Sequence, residues 1–139
     1  MQFLTPELSP LPTVVLVGLG NIGSQTIDAL GRIKALQRAV LVDPDFYSVS
    51  NLDSQRISRR DVGKAKARVQ AKRLAEINPR LEIVPMIAAI ATVPRGWLRG
   101  AVVLTALHSA ESRRDACEAA WRVGAPVIDG GVEPEMGLG

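Results

Sequence analysis

Three glycines, Gly18, Gly20 and Gly23 in the stretch "VVLVGLGNIGS", have the spacing G-x-G-x-x-G. That spacing suits phosphate. The first glycine permits a tight turn, the second lets backbone approach an anion, and the third lets a helix pack closely on a strand. The amides opening such a helix, at its positive dipole end, favour negative charge. Asp43 follows at 43 − 23 = 20 residues past the last glycine, where a carboxylate can accept hydrogen bonds from ribose hydroxyls. Each of these has a plainer reading: a merely tight turn, and an Asp that begins a turn with Pro44. The glycines and the acid also leave the nucleotide open, because an NAD-binding oxidoreductase domain would carry both.

The elements that must position these residues are legible in outline. Val14 to Val17 form a continuous apolar run, as expected of a parallel strand buried on both faces. Ile27, Leu30 and Ile33 then recur at helical spacing, and "AVLVD" ends in Asp43 as a second strand. This is a βαβ unit. The stretch from Phe46 to Asp61 is polar and irregular. "VGKAKARVQAKRLAEINP" reads as a helix stopped at Asn78-Pro79, and Leu81 to Met86 as a third strand. Ala101 to Leu107 makes a fourth strand, "ESRRDACEAAWRVG" a helix closed by Gly124, and "APVIDGG" a fifth strand. The alternation predicts an α/β fold: a Rossmann-like open twisted sheet, mostly parallel, of about five strands with helices on both faces.

A chain of 139 residues, 47% hydrophobic and 22% charged, fits one globular domain. Residues 1–12 are punctuated by proline and read as a loose lead-in, leaving 13–139 as the domain. A net charge of +3 is too mild to imply a nucleic-acid partner. No apolar run has membrane length, so a cytoplasmic location without a membrane partner is expected. The single cysteine, Cys117, excludes an intramolecular disulfide or a zinc site of paired thiolates. Its place in a helix suggests a small packing residue. "MIAAIATV" could be core or an interaction surface.

One segment separates the nucleotides. Val42-Asp43-Pro44-Asp45, Ser50-Asn51-Leu52, Gln55, Gly63 to Lys66 and Ile77-Asn78-Pro79 follow one another in order. Together with the glycine turn, this order resembles the ThiF/MoeB/HesA family, the ubiquitin-activating-type adenylyltransferases. There a V-D-x-D strand end is followed by S-N-L-x-R-Q, then by G-x-x-K on a helix ending in I-N-P. The resemblance implies ATP rather than NAD, used to adenylate the C-terminal glycine of a ubiquitin-like or sulfur-carrier protein. It also implies that Gly18 and Gly20 meet phosphate, Asp43 the ribose, and Asn51 and Lys66 the phosphates and the reacting centre, where the cation Lys66 offsets negative charge. Asn21, Gly23, Asp45 and Gln55 complete the nucleotide site; read without the resemblance, Lys66 is a solvated lysine on a basic helix face shared with Arg73. A homodimer is a further expectation of the resemblance, and a non-catalytic nucleotide- or protein-binding module of the same fold is the alternative.

Three departures bear on activity. The family's arginine in S-N-L-x-R-Q falls on Ser54, which cannot supply a bidentate cationic fork; Arg56, two residues later, is the candidate replacement as a catalytic residue. The acid that helps hold Mg²⁺ after the fourth strand is replaced by His108, and imidazole is a poor ligand for that hard cation. No metal ligands are therefore assigned. Met1 to Pro12 contains no arginine to reach a partner subunit's site, and no pair of C-x-x-C motifs follows. A truncated or minimal version of the family domain is the expectation.

Overall fold

The computed structural model describes residues 12–130. Met1 to Leu11, most of the expected lead-in, and residues 131–139 lie outside that range. Five strands and three helices alternate: β1 (Thr13–Val17), α1 (Asn21–Gly31), β2 (Arg38–Val42), α2 (Lys66–Ile77), β3 (Glu82–Met86), β4 (Ala101–Thr105), α3 (Ala110–Arg122) and β5 (Val127–Asp129). The strands form one sheet in the order β3-β2-β1-β4-β5. All four pairings are parallel, and Thr13 aligns with both Arg38 and Ala101.

The continuous apolar runs are explained by cover on both faces, because successive strand side chains point to opposite sides. Leu16, Ala39 and Leu41 meet Ile27 and Leu30 of α1 and Ala67 and Leu74 of α2. Val15, Val17, Val40 and Val42 meet Ala116, Ala119 and Ala120 of α3 on the other face. The chain from β3 back to β4 carries short 3₁₀ turns at Ile90–Thr92 and Arg95–Trp97 rather than a long helix. "MIAAIATV" divides accordingly: Ile90 and Val93 are core, while Ile87 is exposed.

Two expectations need correction. The second helix begins at Lys66, four residues later than the basic run suggested. Gly63 has φ +87° and Ala65 is extended, so the backbone is not helical until Lys66. Cys117 is exposed rather than packed, because the buried stripe of α3 passes through Ala116, Ala119 and Ala120 and position 117 lies one helical step off it. The predicted stop at Gly124 is present with φ +70°. The Ala125 amide bonds the Ala120 carbonyl at 2.9 Å and the Gly124 amide bonds that of Trp121 at 3.1 Å, the pair that defines a Schellman cap. Among the described residues, no helix is long and apolar enough to cross a membrane.

Candidate functional site

The strand order reverses between β1 and β4, so the loops leaving their carboxyl ends diverge to opposite faces and open a crevice. A cleft of about 240 Å³ occupies it, lined by Gly18, Gly20, Asp43, Asp45, Lys66 and His108. Five residues named from sequence thus converge across 48 positions of chain (66 − 18). Ser112 and Asp115 of α3 also line the cleft; no spacing in the sequence points to them.

The glycine loop is held on several sides. Gly18 has φ +97°, and a Cβ there would strike the Ala106 carbonyl oxygen. Gly23 lies inside α1, where a Cβ would strike the Gly18 carbonyl, so the third glycine does allow close packing of helix on loop. Between them Leu19 is clamped. Its amide donates to Asp43 Oδ2 at 2.8 Å, and its carbonyl accepts from the Tyr47 hydroxyl at 2.7 Å. Gln70 of α2, fully buried, donates to that hydroxyl at 2.8 Å and to the Arg56 carbonyl at 3.2 Å. Tyr47 and Gln70 went unnoticed in the sequence. Only Gln70 left a signal, as a polar residue on the core face set by Ala67 and Leu74.

Asp43 is buried, and its other oxygen accepts from the Asp45 amide at 2.8 Å. Burial raises its pKa above the ordinary carboxylate value, while the two amide bonds and nearby Lys66 pull in the opposite direction. Burial likewise pushes the Tyr47 phenol upward, keeping it a hydrogen-bond donor. Lys66 opens α2: its amide donates to the Asp45 carbonyl at 3.0 Å, and its Nζ stands 5.3 Å from the Tyr47 ring centre. α1 begins at Asn21 with no side-chain cap and no acid in its first turn, so its positive end is uncompensated by its own side chains.

The remaining candidates lie outside the cleft lining. Asn21 is exposed, and its Oδ1 accepts from Gln25 Nε2 at 3.2 Å. Asn51 Oδ1 accepts from the Ser48 amide at 2.8 Å, closing a capping box around the 3₁₀ turn Val49–Asp53. Gln55 approaches from beside the loop, its Nε2 being 3.7 Å from where a Gly20 Cβ would sit. Arg56, the candidate replacement for the missing arginine, is directed toward α1. Its guanidinium pairs with Asp28 of α1 at 3.2 Å, and its amide donates to Ser24 Oγ at 3.1 Å. Arg73 pairs with the same aspartate at 3.1 Å, so the face it was expected to share with Lys66 turns toward α1. Among the described residues no three His, Cys, Asp or Glu side chains converge as metal ligands. Asp43 already serves two amides, and His108 presents to the cleft an imidazole, a poor ligand for Mg²⁺.

The glycine loop, the acid following β2 and the lysine opening α2 meet at the switch point of a Rossmann-like α/β domain. The chain belongs to the ThiF family, whose profile matches residues 8–137. It is 26% identical over 130 residues to the NEDD8-activating enzyme E1 catalytic subunit of Saccharomyces cerevisiae, covering 86% of this chain and 44% of that one. It is 38% identical over 71 residues to the tRNA threonylcarbamoyladenosine dehydratase of Escherichia coli, covering 50% of this chain and 26% of that one. A crystal structure of the E. coli dehydratase superposes with a TM-score of 0.70 at 25% identity, covering 85% of this chain and 51% of that one. The same enzyme has been solved with AMP and with ATP. E. coli MccB shares the fold, with a TM-score of 0.72 at 21% identity. The chain spans under half the length of the curated relatives named and about half of the solved dehydratase.

Proposed function

We propose that the cleft binds ATP and that the chain uses it to adenylate the C-terminal glycine carboxylate of a ubiquitin-like or sulfur-carrier protein. The observation that carries this reading is the convergence of Gly18, Gly20, Asp43 and Lys66 on one cleft. The ATP and AMP complexes of the E. coli dehydratase support it. Asp43 accepts from ribose hydroxyls, and the glycine loop with the open end of α1 meets phosphate. A carboxylate oxygen forms a bond to the α-phosphorus as the bond from that phosphorus to the bridging oxygen breaks, and pyrophosphate leaves. Lys66 offsets the charge gathered there. Carrier-dependent exchange of pyrophosphate into ATP tests the whole reading, and absence of exchange with every glycine-ended carrier tried would overturn the catalytic part.

A second reading, a binding module that retains nucleotide without the transfer, has its own support. Among the described residues, Asp43, Asp45 and Asp115 line the cleft against one lysine, Lys66, and no arginine, and Arg56 is engaged elsewhere. Calorimetric titration with ATP and with NADH separates both readings from a dinucleotide site: tight NADH binding without ATP binding would overturn them together. In that titration, Arg56→Ala is expected to change ATP affinity by less than about two-fold, since an exposed pair with Asp28 contributes little. A loss of about ten-fold would show that Arg56 leaves Asp28 to serve the nucleotide.

A further inference from the structure

A second and larger depression, a groove of about 980 Å³, lies between the 55–64 loop and the outer face of α2. It shares no lining residue with the cleft, although the two meet at the consecutive residues Ala65 and Lys66. Six cations and two acids line it. Two of the cations, Arg56 and Arg73, share the single carboxylate of Asp28. The side chains of the other four, Arg60, Lys64, Arg68 and Lys72, make no hydrogen bond or ion pair with the described residues. Of the two acids, Asp61 is engaged by the amide and hydroxyl of Ser58. Between the cations the lining is apolar, with Ile57, Val69 and Ile87 beside Phe46, whose side chain is strongly exposed.

We propose that this groove docks an acidic polypeptide segment that carries apolar side chains, a binding site separate from the nucleotide cleft. Charge complementarity selects the partner's sign: Arg68 and Lys72 stand one turn apart on α2 with Lys64 just before its start, and no side chain among the described residues pairs with them. The apolar lining selects its class. A groove for single-stranded nucleic acid presents successive aromatic rings to stacked bases, whereas here one ring, Phe46, stands among aliphatic side chains. A membrane surface would not fill a concavity. A polypeptide fits both features, placing carboxylates on the rim and apolar side chains on Val69, Ile87 and Phe46.

The proposal goes beyond the nucleotide reading and is tested apart from it. Fluorescence anisotropy of a labelled short peptide of alternating glutamate and leucine, titrated with the full chain, is expected to show saturable binding. The double variant Arg68→Glu, Lys72→Glu should weaken it by about ten-fold or more, and Phe46→Ser by about five-fold. Both variants alter exposed side chains, so the thermal unfolding midpoint of each should match the parent's and show the fold intact. Absence of saturable peptide binding, or binding indifferent to the charge reversal, would overturn the proposal. Tighter binding of a single-stranded RNA oligomer than of the peptide would also overturn it, in favour of a nucleic-acid groove.

Discussion

Replacing Gly23 with alanine should cost about 3–5 kcal/mol of stability, a large part of the roughly 5–15 kcal/mol available to a domain of ordinary stability. The added Cβ would fall on the carbonyl of Gly18, and a backbone group cannot rotate aside as a side chain does. Relief would require the loop or α1 to shift. The loop is pinned by the Gly18 amide on the Val42 carbonyl at 2.9 Å and by the two bonds to Leu19. The helix is packed through Ile27 and Leu30 into the core. Overpacking against rigid neighbours therefore acts at full strength. Thermal unfolding followed by circular dichroism should show a midpoint lower by about 10–20 °C. Gly96→Ala, at a glycine with nothing within 4 Å of the added carbon, should move it by only a few degrees at most. Equal midpoints for Gly23→Ala and the parent would show that the loop yields.

Lys66→Ala should leave the fold intact and lower ATP affinity by about ten-fold, the equivalent of about 1.4 kcal/mol. If the adenylation reading holds, pyrophosphate exchange should fall further, by about two to three orders of magnitude, because a charge placed at the reacting phosphorus acts most strongly in the transition state. Among the described residues Lys66 is the only lysine or arginine that lines the cleft, so no other of them replaces it there. The ratio of the two losses is informative. Equal losses in affinity and exchange would make Lys66 a binding residue alone, and no loss in either would return it to the surface lysine that its basic sequence context suggests.

The fold was readable because its signals are local. Val14 to Val17, the glycine turn and the strand ending in Asp43 each declare themselves within a few residues, and the parallel sheet follows from their alternation. The helix from Lys66 was misread at its start because Lys64 and Ala65 have good helical propensity, which the positive φ of Gly63 and the extended Ala65 override. Pairings across long separations left little trace. Arg56 follows Asn51 closely in sequence, yet its guanidinium is directed to Asp28, 28 positions earlier (56 − 28). Tyr47 stands in an irregular run, and only its bonds to Leu19 and Gln70 reveal that it secures the glycine loop. The cleft was legible through glycine, acid and lysine because backbone shape and charge restrict residue type there. The hydrogen bonds that Tyr47 and Gln70 build around Leu19 were not, because many residue types can supply a donor or an acceptor.

The clamp on Leu19 also provides a means of timing the loop. An amide proton buried against a carboxylate exchanges with solvent only when the loop opens, so its exchange rate reports the free energy of that opening. The Leu19 amide lies outside the ladder of the sheet, yet Asp43 and Tyr47 hold its peptide groups from both ends. A loop held in this way without ligand has little ordering left to lose, so under the ATP reading a nucleotide would find its anion site already set. Slow exchange at Leu19 in the free chain would mark that readiness; exchange as fast as in an open loop would mean that the nucleotide must build its own site.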